Sequence, residues 1–138
     1  LKELLFYIPS QIGGAIVASF LHYFFFGNAH SFGMTVNRLP IYQGFALEVL
    51  ITIFLMLTII TIATNEKISQ SITGFSVGGI ISVCSFVAGP FTGASMNPAR
   101  SIGPAIVSCN FDFIYLYILG PIIGALLAIL IFNNIKEK

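Results

Sequence analysis

The sequence predicts an all-α membrane protein, a bundle of four transmembrane helices with one re-entrant half-helix. Hydrophobic residues make up 57% of the 138 residues and charged residues only 8%, with a mean hydropathy of +0.96. A soluble domain carries about 25% charged residues, so this balance indicates a membrane environment. Four stretches are apolar over the roughly 20 residues that a helix needs to cross a bilayer. A fifth segment is too short to cross.

The four predicted spans are separated by connections at 27–41 and 64–67, which hold most of the remaining charge and the turn residues. Each span taken alone also fits a buried helix in a soluble core. Four in succession, with almost no charged flanking surface, favour the membrane interpretation. The predicted spans are residues 4–26, 42–63, 68–88 and 113–132.

Residues 97–108, "NPARSIGPAIVS", predict the half-helix. Twelve helical residues extend about 18 Å, whereas the hydrocarbon core of a bilayer is about 30 Å thick. The preceding "GPFTGASM" is rich in Gly, Pro, Thr and Ser, and we expect it to be extended or irregular. Irregular backbone persists at membrane depth only where it is buried in protein or lines a watery cavity, so this hairpin predicts a cavity.

Asn97 and Pro98 predict the start of that half-helix, because Asn is a favoured N-cap and Pro suits the first helical position. The Asn97 side-chain oxygen would accept a backbone N–H, which leaves its NH₂ group free to donate into the cavity. The helix N-terminus adds about half a positive charge near the membrane midplane. Together these groups would repel cations and interrupt proton transfer through water, while neutral hydrogen-bond acceptors pass.

Two charged residues fall inside the membrane pattern. Arg100 is either a structural arginine paired with carbonyl groups or a pore-lining donor that bars cations, and its place one turn into the half-helix favours the second role. Glu48 is either a buried acceptor for backbone N–H groups of the re-entrant loop or a proton or ion site of a transporter. No second acidic residue lies at membrane depth in the sequence, which favours the structural role.

An internal repeat links the first and last spans. "YIPSQIGGAIVA" from Tyr7 matches "YILGPIIGALLA" from Tyr117 at six of twelve positions, at an offset of 110 residues. On this interpretation residues 42–132 form the second of two inverted repeats. The offset minus the 26 residues up to Phe26 predicts that about 84 residues of a first repeat precede Leu1.

The basic residues predict the orientation. If the half-helix returns to its own side, Lys2, Lys67, Lys136 and Lys138 share one face and Arg38 lies alone on the other. Because basic loop residues favour the cytoplasm, both termini are expected there, with the re-entrant loop entering from outside.

Other function classes find little support. A net charge of +1 does not favour nucleic acid as a partner, and Cys84 and Cys109 have neither metal-ligand spacing nor a neighbouring His cluster. No nucleophile–base pair suggests an enzyme, so we expect no catalytic residues, no metal and no cofactor.

The stretch "GPFTGASMNPARSIGPA" resembles the second signature of the major intrinsic protein family, the aquaporins and aquaglyceroporins, and is most like the nodulin-26-like branch and its bacterial relatives. The resemblance covers the chain from the family's third transmembrane helix to its sixth. It implies an aquaporin-like bundle of six helices and two half-helices that meet at paired Asn-Pro-Ala motifs, assembled as a homotetramer. Asn97, Pro98 and Ala99 would be the second motif, with the first motif and the first two helices expected before Leu1.

Carried over by position, the family's constriction would use Ile81, Ala94 and Arg100. Strict water channels usually have His where this chain has Ile81, so the resemblance implies a wider and more apolar constriction. Strong glycerol facilitators typically carry Asp where this chain has Ser101, and Ala105 is also typical of water channels. The fourth filter position would lie in the first repeat, so the preferred solute stays open.

The sequence therefore predicts a channel in the cell membrane that passes water and small neutral solutes such as glycerol, without ions or protons. Two alternatives remain. One is a secondary transporter with a discontinuous helix, for which Glu48 would be the coupling site. The other is a non-conducting scaffold or an inactive fragment.

Overall fold

The computed structural model describes residues 2–27, 32–65 and 69–136, which form five α-helices and no strand. Four of the helices are long and apolar enough to cross a membrane, and the fourth in order has only 11 residues, which confirms the predicted fold class. The helices are α1 Leu4–Phe26, α2 Ile41–Ala63, α3 Gln70–Thr92, α4 Pro98–Ser108 and α5 Ile114–Lys136.

Two helices end four residues later than predicted. The third helix continues through Pro90 to Thr92, so the irregular stretch, here called the re-entrant loop, comprises only residues 93–97. The helix persists because its last carbonyl groups find partners outside it: Phe91 O accepts from Arg38 N at 2.8 Å, and Thr92 O accepts from the Tyr117 hydroxyl at 2.8 Å. The predicted start at residue 68 lies outside the described residues.

The fifth helix also runs past the predicted end at residue 132, to Lys136. The Asn134 side chain donates to Leu130 O within the last turns. Lys136 places a positive charge at the helix C-terminus, where it offsets the partial negative charge of the unpaired carbonyl groups.

Helices α2 and α5 form the most extensive contact, and two glycines of α5 allow it. A Cβ atom on Gly124 would lie 2.6 Å from the Val49 carbonyl oxygen and 2.8 Å from Thr52 Cβ. A Cβ atom on Gly120 would lie 3.0 Å from Glu48 Cβ. Small residues let membrane helices approach backbone to backbone. This close approach places Glu48 between the two helices.

A glycine also allows the half-helix α4 to pack closely against α1. A Cβ atom on Gly103 would lie 2.6 Å from the Ala15 carbonyl carbon, so no larger residue fits there without a shift. This contact fixes α4, whose N-terminal cap is Asn97, against α1.

The outer faces of the bundle are apolar. Phe6, Phe75 and Phe86 are each at least 80% exposed, and many other aliphatic and aromatic side chains are exposed as well. A soluble monomer rarely exposes apolar surface on this scale. The chain is an integral membrane protein.

Gly124→Ala is expected to lower stability by about 1–3 kcal/mol, because overpacking at the α2 backbone forces the helices apart. The fraction of monodisperse protein left after heating in detergent measures this. Gly79→Ala is the matched control, since a Cβ atom there meets nothing within 4 Å, and it is expected to behave like the wild type. Equal melting of the two variants would contradict the close contact.

Candidate functional site

The re-entrant loop has an unusual backbone. Gly93, Ala94 and Met96 have φ values of +81°, +45° and +52°. For Ala and Met this left-handed region costs on the order of 1 kcal/mol or more, and it persists only where the surroundings determine it. The loop conformation must therefore be held by contacts from other elements.

The Glu48 carboxylate supplies those contacts. Its Oε1 accepts from Ser95 N at 2.9 Å and from the Thr92 hydroxyl at 2.7 Å, and its Oε2 accepts from Met96 N at 3.0 Å. The Thr92 hydroxyl in turn accepts from Ala94 N at 3.2 Å. Glu48 is fully buried, and hydrogen bonds to an ionised acceptor are what make such burial tolerable. This is the arrangement that the structural interpretation of Glu48 describes.

Among the carbonyl groups of the loop, that of Asn97 accepts from the Ser95 hydroxyl, and the other four differ from it. Within the described residues, no hydrogen-bond donor reaches the carbonyl groups of residues 93–96. These four residues line a cavity of about 780 Å³ between α2, α3, α5 and the loop. Because a buried carbonyl group without a partner is costly, water or a solute in the cavity is the partner available to them.

Asn97 caps α4 and borders the same cavity. Its Oδ1 accepts from Ala99 N at 3.0 Å, with Pro98 at the first helical position. Its Nδ2 group donates to no protein atom of the described residues. Asn97 thus offers hydrogen-bond donors to the cavity where the helix N-terminus adds partial positive charge.

Arg100 lies on the first turn of α4 and is held from outside the helix. Its Nη1 donates to the Gly33 carbonyl oxygen at 2.6 Å. The side chain borders both the 780 Å³ cavity and a neighbouring cavity of about 610 Å³ between α1 and α4. A guanidinium group with one donor engaged keeps further N–H groups for a solute.

The structure brings most of the predicted site residues together. The larger cavity is lined by Ile81, Ala94, Asn97, Pro98 and Arg100. Ala99 does not line it and borders the smaller cavity instead. Ile81 and Ala94 present only apolar side chains, so Arg100 is the charged group on that wall.

Two kinds of residue at the site escaped the sequence reasoning. Gln11 of α1 lines both cavities beside Asn97, and a polar amide inside an apolar span was a signal of the kind that singled out Glu48. Thr35, Ser95 and Ser101 meet in a buried group of hydroxyls. Hydroxyl residues of a connection, a loop and a half-helix carry no sequence signal that they will meet.

Metal chemistry finds no ligand set in the described part of the chain, where no three His, Cys, Asp or Glu residues cluster. Cys84 is buried with its Sγ 3.9 Å from the Ile51 carbonyl oxygen, and Cys109 is exposed. Both are free thiols in the structure.

The structure defines a class of membrane protein: a helical bundle with a re-entrant half-helix, an Asn cap and an arginine beside a cavity. Comparison with known protein families identifies this class. The family model described as "Major intrinsic protein" matches residues 1–132. The chain belongs to the major intrinsic protein family.

The relatives are of the nodulin-26-like branch, as predicted. Over 131 residues, 94% of this chain, it is 37% identical to "Nodulin-26" of Glycine max and covers 48% of that protein. Over 137 residues, 99% of this chain, it is 40% identical to "Probable aquaporin NIP-type" of Nicotiana alata and covers 51% of it. For "Aquaporin NIP1-1" of Zea mays, identity is 36% over 136 residues, 98% of the chain and 48% of the relative. The chain spans about half the length of these relatives.

Glu48→Ala is expected to reduce folded protein in the membrane more than it changes solute selectivity. It leaves the N–H groups of Ser95 and Met96 without acceptors, at about 1–3 kcal/mol each. The yield and thermal stability of purified protein measure this, and Glu48→Gln, which keeps one acceptor oxygen, is expected to lie between the two. A Glu48→Ala variant as stable as the wild type, with altered selectivity, would show that the carboxylate serves permeation instead.

Proposed function

We propose that the protein is a membrane channel for passive movement of water and small neutral solutes, glycerol among them, and that it excludes ions and protons. The proposal is supported mainly by the carbonyl groups of the re-entrant loop and by the cavity beside them. Residues 93–96, whose carbonyl groups accept from no donor of the described residues, line the same cavity as Asn97 and Arg100.

A molecule with hydroxyl groups can both donate hydrogen bonds to the wall of this cavity and accept hydrogen bonds from it. Its O–H groups donate to the loop carbonyl oxygens, and its oxygen atoms accept from the Asn97 amide and the Arg100 guanidinium. These bonds replace the ones the solute loses with bulk water, which lowers the cost of entering the cavity. Ile81 and Ala94 add an apolar surface that suits the carbon edge of a polyol.

Charge exclusion follows from the same groups. Arg100 and the N-terminus of α4 both carry positive charge, so a cation that reaches them is repelled. Water bound to the Asn97 amide is oriented with its oxygen toward the donor and both hydrogens away from it. Such orientation interrupts the hydrogen-bonded chain that a proton needs.

The environment of Glu48 supports a channel over an ion-coupled transporter. Three protein donors, from Thr92, Ser95 and Met96, already occupy the carboxylate oxygens. A coupling ion at Glu48 would have to displace these bonds and release the loop. The names of the relatives in Nicotiana alata and Zea mays, both aquaporins, point the same way.

The proposal extends to the assembly. Residues 42–132 form the second of two inverted repeats, and the first repeat supplies the facing half of the pore. Both termini lie in the cytoplasm, and α4 enters from the extracellular side of the cell membrane. The complete protein forms a homotetramer with one pore in each subunit.

Solute movement into proteoliposomes of the complete protein tests the function. Stopped-flow light scattering should show water and glycerol fluxes that rise in proportion to the gradient, without saturation and without dependence on an ion gradient. Saturating, ion-driven uptake would identify a transporter, and fluxes equal to those of empty liposomes would identify a non-conducting protein.

Arg100→Val is expected to raise the cation or proton leak by about tenfold or more. A unit charge at about 4 Å contributes about 4 kcal/mol at an effective dielectric constant of about 20, so removing it lowers the barrier well beyond one factor of ten. Proton flux into liposomes loaded with a pH-sensitive dye measures the leak.

The control is Arg38→Val. Arg38 is the other arginine of the chain, and it borders neither of the two cavities that Arg100 lines. Its removal should leave ion exclusion intact. If Arg100→Val leaks no more than the wild type, Arg100 does not contribute to the exclusion of cations and protons.

Ile81→His is expected to lower the ratio of glycerol to water permeability severalfold. The imidazole narrows the cavity that Ile81 and Arg100 both line, and it adds a polar partner, which water needs more than glycerol does. Stopped-flow measurements on the same proteoliposomes give both permeabilities. Ile81→Val, which stays apolar, should keep the wild-type ratio. An unchanged ratio in Ile81→His would show that Ile81 is not part of the constriction.

A further inference from the structure

The connection between α1 and α2 presses directly on the re-entrant loop. A Cβ atom on Gly93 would lie 2.9 Å from Thr35 Cα and 3.1 Å from Val36 N, so the two backbones touch. Arg38 N donates to Phe91 O, just before the loop. Residues 32–40, here called the connector, thus pack against the end of α3 and the start of the loop.

A chain of buried hydroxyls joins the connector to the loop. The Thr35 hydroxyl donates to Ser101 Oγ at 2.9 Å, although the two residues are 66 positions apart. Ser101 Oγ lies 2.6 Å from Ser95 Oγ, and Ser95 Oγ donates to the Asn97 carbonyl oxygen at 2.9 Å. Thr35, Ser95 and Ser101 are 6%, 4% and 2% exposed, so water does not substitute freely for any member.

Proton counting gives this chain one direction. Each hydroxyl has a single proton to donate. Ser95 gives its proton to the Asn97 carbonyl oxygen, so Ser101 donates to Ser95 and accepts from Thr35. Ser101 and Ser95 each both donate and accept, so the bonds along the chain strengthen one another, and removal of the first donor, Thr35, weakens the rest.

Thr35 and Ser101 do not line either cavity that Arg100 borders. Any effect of Thr35 on a solute must therefore pass through other groups. Two groups can transmit the effect. One is the Asn97 backbone, at the end of the hydroxyl chain. The other is the Gly33 carbonyl oxygen, two residues before Thr35, which accepts from the Arg100 guanidinium.

We propose that Thr35 is a positioning residue that sets solute selectivity from the connector. Through Ser101 and Ser95 it fixes the backbone of Asn97, and by anchoring the connector it fixes the carbonyl group that holds Arg100. The inference rests on the proposed channel function and adds the connector as a determinant of which neutral solutes pass.

The test uses a variant pair that differs in one hydroxyl. Thr35→Val keeps the shape of the side chain and removes the donor, and Thr35→Ser keeps the donor. Thr58→Val is the control, because the Thr58 hydroxyl bonds only the Phe54 carbonyl of its own helix at an exposed position. Each variant of the complete protein is measured in two ways: the glycerol-to-water permeability ratio, and amide hydrogen exchange of the peptide covering residues 93–101.

Thr35→Val is expected to speed exchange of that peptide about fivefold, the equivalent of one hydrogen bond, and to change the permeability ratio. Thr35→Ser and Thr58→Val should match the wild type in both measurements. A wild-type permeability ratio in Thr35→Val would overturn the proposal, and so would wild-type exchange of that peptide or exchange that is equally fast in Thr35→Ser.

Ser101→Ala provides a second route if Thr35→Val yields little folded protein. It breaks the same chain, so it should reproduce the faster exchange, and the double variant should exceed neither single variant. Additive effects would mean that the two hydroxyls act separately and would overturn the proposal. A wild type that passes neither water nor glycerol would contradict the channel function. Hydrogen exchange needs no flux, so the exchange data would still decide whether Thr35 positions the loop.

Discussion

The structure depends on one buried carboxylate. Glu48 binds the N–H groups of Ser95 and Met96, and a peptide group whose N–H points one way presents its carbonyl oxygen the other way. The glycines of α5 let α2 come close enough to put Glu48 at that position. Without this anchor, the left-handed backbone of the re-entrant loop would have no reason to persist in an apolar environment.

The site combines two supports from opposite sides. Glu48 and Tyr117 hold the loop from within the bundle, whereas the connector holds it from outside through Thr35 and Gly33. Polar backbone survives at membrane depth where protein or a watery cavity satisfies it. Here the N–H groups of the loop bond protein groups, whereas no donor of the described residues reaches the carbonyl groups of residues 93–96, and these four residues line the cavity.

The sequence was sufficient for the parts of the structure that depend on local pattern or on a rare residue. The span lengths followed from hydropathy, the start of α4 from Asn97 and Pro98, and the position of Glu48 from its being the acid inside a span. The end of α3 was placed four residues early, because the helix continues only with partners from Arg38 and Tyr117 that are distant in sequence.

The hydroxyl contact between Thr35 and Ser101 could not be predicted either, because the two residues are distant in sequence. The roles of Ile81, Ala94 and Arg100 in selectivity stay predictions that permeability measurements decide. The central claim concerns the backbone, and a structure of the complete protein in lipid, at a resolution that reveals ordered water, tests it most directly. The account predicts water within hydrogen-bond distance of the carbonyl oxygens of residues 93–96, with the Glu48 carboxylate on the opposite side of the loop. Carbonyl oxygens bonded to protein groups, or a Glu48 side chain in contact with the water column, would contradict it.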